Sequence, residues 1–227
     1  MRRRTKHFRP IAYKRRLSFA LERCCHDLMN EVFIAPDAWV GGFYELCLEL
    51  PGRDNFNITQ ALATLWQVPG VRGCYLSNDV EPDAQSRVSA WHVPHDRHVY
   101  GIAQLPNGES CACGTYVSDF DTDALWVAFY LPLGSLGRAY YVGGYPFGDW
   151  NSKIESSLLA VNTWLKELAE AVYKDFHFVF GVIGFESGFE ELKKEALAGI
   201  PETRSEGLLI PDRDTLRWYP PTYDRHF

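Results

Sequence analysis

Three histidines and two cysteines in the middle of the chain come nearest to a metal-binding pattern. His92, His95 and His98 follow one another at three-residue steps, and Cys111 and Cys113 lie further along. Imidazole and thiolate groups are common zinc ligands, but this spacing matches no established zinc module. In a strand, the two cysteines would point to one face with parallel side chains, which does not suit a disulfide. We therefore expect no metal site and no cofactor.

Three aspartates near residue 120 resemble the start of a calcium-binding loop. Asp119, Asp121 and Asp123 have the right spacing, but Ala124 and Tyr130 stand where such a loop needs glycine and glutamate. We interpret the segment as a turn. The chain also has no Gly-x-Ser-x-Gly elbow, phosphate-binding loop, dinucleotide fingerprint or His-Glu-x-x-His motif. The common catalytic signatures are therefore missing.

A cysteine nucleophile paired with a histidine base stays open, because such partners need not be close in sequence. Cys113 with His95, or with His177 in a predicted buried strand, is an example. Six cysteines and seven histidines make chance pairs easy to find. A structural role for each of these residues is therefore favoured, and the sequence favours a non-catalytic protein over an enzyme without deciding between them.

The segment from Pro132 to Trp150 is the strongest candidate for a binding site. It is a long stretch without an obvious element, and loops of that length tend to be functional or disordered. Its five glycines allow close backbone approach, and it leads into a predicted helix whose N-terminus favours an anion. Aromatic residues and arginine are enriched at binding hot spots. The candidate binding residues are Arg138, Tyr140, Tyr141, Tyr145, Phe147, Asp149 and Trp150. The alternative is that these rings fold back and cover a sheet edge.

The charge of the chain is divided between its first 28 residues and the rest. Residues 1–28 carry nine Lys/Arg against two acids, a net +7, whereas residues 29–227 carry −13. The basic segment has no apolar stretch that would make it a secretory signal. It is either a basic arm for nucleic acid or an anionic membrane, or extra translated sequence ahead of a start at Met29. We favour the second interpretation and expect weak packing of this extension.

The remaining 29–227 segment is expected to be one domain. The whole chain has 227 residues, 46% of them hydrophobic, which is enough for a large core without disulfides or metals. Its six cysteines are scattered, which is typical of reduced thiols in a cytoplasmic protein. No apolar run reaches the roughly 20 residues that a membrane span needs. We therefore expect no membrane segment.

The first patterned part of the chain predicts a βαβ-like opening. Apolar residues alternate over residues 43–50, which predicts a strand with one buried face. Asn57 is placed to cap a helix with Gln60 reaching back to the cap, and Pro69-Gly70 ends that helix. A second strand follows at Gly73–Leu76. Next comes a polar loop over residues 78–97.

The second part predicts a meander and two helices. Val99–Leu105 and Cys111–Val117 form a hairpin that turns at Asn107-Gly108, and Leu125–Leu131 is apolar on both faces, as a central strand would be. Further elements are a helix over Ser152–Lys174 with a Ser152/Glu155 capping box, a strand over Phe176–Ile183, a helix capped by Ser187, and a hairpin of Gly207–Ile210 with Thr215–Tyr219. The predicted class is α+β, a mostly antiparallel sheet with helices packed on it, in the order β-α-β-β-β-β-α-β-α-β-β.

Two functional hypotheses follow. The first is a non-catalytic interaction protein, of an inhibitor or immunity type, whose acidic body meets a basic protein while the aromatic, glycine-rich loop supplies anchors. The second is a small-molecule enzyme or binding protein with an anion-holding pocket under the 132–150 loop. There, Arg138 and the start of the following helix would hold the anion, and Asp149 or Glu186 would act as acid or base. Nucleic-acid binding would require residues 1–28.

Overall fold

The computed structural model describes residues 32–119, 124–140, 156–186 and 189–222, which contain one eight-stranded sheet. Every neighbouring pair of strands is antiparallel. The strands are β1 Phe43–Glu49, β2 Val71–Tyr75, β3 Val99–Gln104, β4 Ser110–Ser118, β5 Trp126–Pro132, β6 Phe180–Phe185, β7 Gly207–Asp212 and β8 Thr215–Tyr219, in the spatial order β2-β3-β4-β5-β1-β6-β7-β8. The helices are α1 Asn55–Gln67, α2 Leu133–Tyr140, α3 Ser156–Asp175 and α4 Phe189–Ala198. The predicted α+β class is confirmed.

The order of elements agrees with the prediction apart from one additional helix, α2. Sequence reasoning placed Leu133–Tyr140 in a loop, which is wrong, because two glycines in eight residues hide the helix. Its first N–H groups donate to carbonyls of the segment before β1: Leu133 to Gly42 at 3.0 Å and Gly134 to Val40 at 2.9 Å. A side chain on Gly134 would overlap the carbonyl oxygen of Asp37. The helix therefore depends on tertiary contacts that no local pattern contains.

One face of the sheet, called here the first face, is covered by α1, α2 and α3. The strand side chains on that face and the apolar sides of the three helices form the largest hydrophobic cluster. From α3 the cluster includes Leu158, Val161, Leu165, Leu168 and Val172, the periodic residues that predicted this helix. Burial of this apolar area is the main stabilising contribution to the fold.

The opposite face, called the second face, is also largely buried, which corrects the prediction for β1. The alternation over residues 43–50 predicted one buried face, yet Glu45 is 2% exposed and Glu49 is 6% exposed. The helix α4 covers one end of this face, where Phe189 and Ala196 pack with Trp126. Carboxylates thus occur in an interior layer, where burial is tolerated only with hydrogen-bonding partners.

The helix α1 starts differently from the prediction. Asp54, not Asn57, is the cap, because the Asp54 side chain accepts from the Asn57 N–H at 2.9 Å. The predicted contact of Gln60 with the cap is absent, since its amide instead donates to the Asp175 carbonyl at 3.0 Å. The strands β1 and β2 flank this helix, but β3, β4 and β5 lie between them. Four successive antiparallel pairings make β1 and β2 parallel, as a βαβ unit requires.

The later strands follow the predictions with shifted ends. The strand β5 is buried along its whole length between β4 and β1, as expected of a central strand. The strand predicted from Phe176 begins only at Phe180. The final hairpin is confirmed and turns at Arg213, which has a φ of 57°.

Several predicted features lie outside the described residues: the basic extension 1–28, Asp121 and Asp123, the Ser152/Glu155 box and the Ser187 cap. Within the part of the chain that the structure describes, no helix combines the length and apolarity needed to cross a bilayer.

Candidate functional site

The structure describes two of the seven predicted binding residues. Arg138 lies on α2 and forms a salt bridge with Asp37, with both side chains partly exposed. Tyr140 ends the same helix and packs partly against the main core. The other five lie outside the described residues: Tyr141, Tyr145, Phe147, Asp149 and Trp150. The charge of Arg138 is therefore already neutralised by a carboxylate of its own chain.

The histidines and cysteines that could resemble a metal site have separate surroundings. His95 lies 3.3 Å from the Thr59 hydroxyl through Nε2, and His98 lies 2.9 Å from the Tyr130 hydroxyl through Nδ1. Cys111 and Cys113 are fully buried, and burial raises the pKa of the Cys111 thiol to about 12. Among the residues described, no group of three His, Cys, Asp or Glu side chains could hold a metal ion.

The members of the proposed nucleophile pairs have different contacts in the structure. Cys113 is buried beside Cys111 and Cys74, and its pKa is raised well above the ordinary value by burial, which disfavours the reactive thiolate. His177 was predicted inside a buried strand, which is wrong: it is exposed, after the end of α3, and its ring stacks on Tyr173.

Glu186, a candidate acid or base, is exposed at the end of β6. Its backbone has a φ of 42°, which is uncommon for a residue with a side chain. Its N–H donates to the Phe43 carbonyl at 3.2 Å, which holds the residue beside the start of β1. Its proposed companion, Asp149, is outside the described residues. The acid–base role of this pair stays a prediction.

The second face of the sheet carries a cluster of Glu45, His98, Tyr116 and Tyr130, called here the buried aromatic–acid cluster because Glu45 and Tyr130 are buried, while His98 and Tyr116 are half-buried. Strand register brings these residues together. Glu45 on β1 is paired with Tyr130 on β5. His98 directly precedes β3 and stands opposite Tyr116 on β4, because Val99 is paired with Thr115.

Hydrogen bonds and ring contacts bind the buried aromatic–acid cluster together. The Tyr116 hydroxyl donates to Glu45 Oε2 at 2.9 Å. The rings of His98 and Tyr116 stack with centroids 5.0 Å apart. Gly114, opposite Tyr130, leaves the space that the Tyr130 ring fills, because a Cβ there would overlap that ring.

Burial and nearby charge hold the hydroxyls of this cluster in their neutral form. Burial, followed by the Glu45 charge, raises the pKa of Tyr116, and burial also raises the pKa of Tyr130. Burial lowers the pKa of His98, so the neutral imidazole is favoured. Neutral tyrosines donate hydrogen bonds but do not supply a base at ordinary pH. The hydrogen bond of Tyr116 to Glu45 links β4 to β1 across β5.

A second region has similar residue types but is exposed, and we call it the exposed aromatic–acid surface: Asp54, Phe56, Trp91 and Asp96. Phe56 in the first turn of α1 is 72% exposed, and Trp91 is 54% exposed. Trp91 lies in the one-turn helix Ala90–His92, which packs against α1. His95, four residues after Trp91, contacts Thr59 on α1, so the segment after Trp91 also packs against this helix.

The loop that carries Trp91 is held in place by its own hydrogen bonds. The Gln85 amide donates to the carbonyls of Ser77 at 2.8 Å and Val80 at 2.7 Å. Arg87 Nε donates to the Gly73 carbonyl at 2.7 Å, and the Val88 N–H donates to the Cys74 carbonyl at 2.8 Å. Sequence reasoning predicted a loop over residues 78–97, which is confirmed, but it missed that this loop presents an aromatic side chain on a fixed backbone.

The two acids of the exposed surface flank its aromatic rings in sequence. Asp54 is exposed and caps α1, two residues before Phe56. The Asp96 side chain is 76% exposed and lies 3.5 Å from Arg97, in a contact of the weak surface kind. A signal for this surface was present in the sequence. Phe56 lies in the first turn of a helix and Trp91 lies in a polar loop, and an aromatic side chain at either kind of position is often exposed.

Comparison with known proteins adds no assignment, since no family model, curated protein or solved structure matches this chain. The functional argument therefore depends on geometry. Chemically, the buried aromatic–acid cluster is a set of hydrogen bonds and stacked rings on the second face of the sheet. The exposed aromatic–acid surface offers apolar rings and carboxylates to whatever approaches from solvent.

Proposed function

We propose that this chain is a non-catalytic interaction protein that binds a basic protein partner through the exposed aromatic–acid surface. The observation that carries the proposal is the exposure of Phe56 and Trp91 on two elements packed together. Large aromatic side chains in water are available for burial, and tryptophan leads the residues found at binding hot spots. Their fixed backbone reduces the conformational entropy lost on binding.

Charge supports a basic partner over an acidic one. Residues 29–227 carry a net −13, and the exposed acids Asp54 and Asp96 lie near Phe56 and Trp91 in sequence. An acidic surface attracts a basic protein and speeds its diffusional encounter, an effect that salt screens. An inhibitor or immunity type of role suits such a surface, because proteins of both kinds act by binding a partner and need no catalytic residues of their own.

Affinity purification from the native host, combined with variants, tests the proposal. The wild type is expected to retain a basic protein that the double variant Phe56→Ala, Trp91→Ala loses. The matched control is Leu197→Ala, since Leu197 is 75% exposed on α4, outside the surface. Loss of hot-spot rings typically costs at least about 2 kcal/mol each.

The association rate of the purified pair is the second measurement. It should fall as ionic strength rises, and Asp96→Asn should lower it at low salt more than at high salt. If the double variant retains the partner as well as the wild type does, the exposed aromatic–acid surface is not the binding site. An association rate indifferent to salt would refute the electrostatic part.

The other functional hypotheses remain as proposals of lower rank. A small-molecule pocket under the 132–150 loop would need an anion-holding Arg138, yet Asp37 already pairs with that side chain. Nucleic-acid binding by residues 1–28 is tested by deleting them and measuring affinity. We also propose a cytoplasmic location, which is supported by the free thiols of Cys47, Cys74, Cys111 and Cys113.

A further inference from the structure

A cleft of about 590 Å³ lies between the C-terminal end of α3 and the hairpin of β7 and β8. Its helix wall is formed by Glu170, Tyr173 and Lys174 of α3 together with His177, just after the helix ends, and its hairpin wall includes Asp214 and Leu216. This volume is in the range of small-molecule sites. It shares no residue with the exposed aromatic–acid surface.

The width of the cleft is fixed by a link between its walls. The Tyr173 hydroxyl donates to the Arg213 carbonyl at 3.1 Å, which ties the helix to the hairpin turn. Tyr173 is 6% exposed and belongs to the main core, and Leu216 packs against the same core. The two walls are therefore anchored on the rigid part of the molecule, as a preformed site requires.

The cleft contains a flat aromatic shelf. The His177 ring stacks on Tyr173 with centroids 4.5 Å apart and an interplanar angle of 12°. Because His177 is exposed and Tyr173 is buried beneath it, one face of the imidazole is left for a ligand. A planar ring is the ligand group that stacks best on such a shelf.

The charges on the two walls are opposite in sign. On the helix wall, Glu170 is paired with Lys166 at 2.7 Å, so its charge is balanced within the helix. Lys174 is exposed on the same wall, and Asp214 is exposed on the hairpin wall. Asp214 and Tyr173 both line the cleft, and Asp214 directly follows Arg213, whose carbonyl accepts the Tyr173 hydrogen bond.

We propose that this cleft binds a small zwitterion with a planar ring, of the class of aromatic α-amino acids. The ring stacks on His177, the carboxylate meets Lys174 and the ammonium group meets Asp214. A ligand with only one charge would satisfy one wall and leave the opposite charge of the other wall without a counter-charge. Specificity for the zwitterion thus follows from the separation of the two charges.

Calorimetric titration of the full chain tests this with three probes that share a ring: L-phenylalanine, phenethylamine and 3-phenylpropionate. The amine lacks the carboxylate, and the acid lacks the ammonium group. We expect L-phenylalanine to bind at least about fivefold more tightly than either analogue, as expected of one charge-assisted contact. Equal affinities, or no saturable binding of L-phenylalanine at millimolar concentration, would overturn the proposal.

Two charge-removing variants assign the contacts separately. Lys174→Gln should remove the preference for L-phenylalanine over phenethylamine and keep the preference over 3-phenylpropionate. Asp214→Asn should do the reverse. Lys194→Gln, which removes an exposed charge on α4, is the matched control and should leave all three affinities unchanged. Variants that bind all three probes as the wild type does would contradict the assignment, and none of these results bears on the partner surface.

Discussion

Two regions of this molecule combine aromatic rings with carboxylates, and they differ in burial. In the buried aromatic–acid cluster, Glu45 is 2% exposed and accepts a hydrogen bond from Tyr116. In the exposed aromatic–acid surface, Phe56 is 72% exposed. The same residue types therefore complete their contacts inside the protein in one region and present them to solvent in the other.

The difference indicates which region serves stability and which serves binding. Closed hydrogen bonds and filled space make a region sensitive to substitution, because any change leaves a buried polar group or a clash. Exposed rings contribute little to folding, so their positions are free to be selected for a partner. This comparison predicts a sharp separation between effects on unfolding and effects on binding.

The largest effect is expected at Gly114, beneath the buried cluster. Gly114→Ala would force a Cβ into the Tyr130 ring, which is 1% exposed and has little room to move. Overpacking of this kind lowers the free energy of unfolding by about 3 kcal/mol. Gly52→Ala is the control, because its Cβ would meet only side-chain atoms at 3.3 Å. Equal denaturation midpoints for the two variants would break the comparison.

A smaller loss is expected at the hydrogen bond between Tyr116 and Glu45. Tyr116→Phe removes the hydroxyl that donates to Glu45 Oε2 and should lower the free energy of unfolding by about 1 to 3 kcal/mol. Glu45→Gln gives the second arm of a double-mutant cycle. Since the two groups contact each other, the double variant should lose less than the sum of the single losses. Additive losses would show that the two side chains are not energetically coupled, which would contradict the stabilising role of this hydrogen bond.

The pH dependence of stability isolates the contribution of His98. Because burial lowers its pKa below the ordinary value, the unfolded chain binds a proton more readily than the folded protein. The stability contribution of neutral His98 is thus complete above its unfolded pKa and is lost as pH falls through the folded pKa. Denaturation midpoints should decline on acidification, and His98→Gln should reduce that decline. A variant with the same slope as the wild type would contradict the account.

The smallest effect on stability is expected at the exposed surface. Phe56→Ala and Trp91→Ala should each change the free energy of unfolding by within about 0.5 kcal/mol, because both rings are mostly in water already. Chemical denaturation of the two variants measures this. A loss similar to that of Gly114→Ala would mean that the rings are structural, and the contrast between the regions would disappear.

Much of the fold could be predicted because it follows local patterns. The periodic residues Leu158 to Val172 predicted α3, and the apolar run of β5 predicted a central strand. The helix α2 was missed because its N-terminal N–H groups bond to the segment before β1. Such partners depend on strand order, which the sequence does not display.

The site was harder to predict than the fold, and the reason is burial. The alternation in β1 correctly separated its two faces but could not show that α4 covers one end of the second. Exposure of Phe56 and Trp91 likewise depends on how the β2–β3 loop packs against α1. Among the seven predicted binding residues, Arg138 has an ion-pair partner, Asp37, that is distant in sequence and that no local pattern indicates.

Hydrogen–deuterium exchange of the purified complex tests the central claim most directly. The account predicts that the partner slows exchange at the start of α1, around Phe56, and in the segment that contains Trp91 and Asp96. Strands under the buried aromatic–acid cluster should exchange at the same rate with and without the partner. Protection confined to residues 141–150, with unchanged exchange around Phe56 and Trp91, would contradict it.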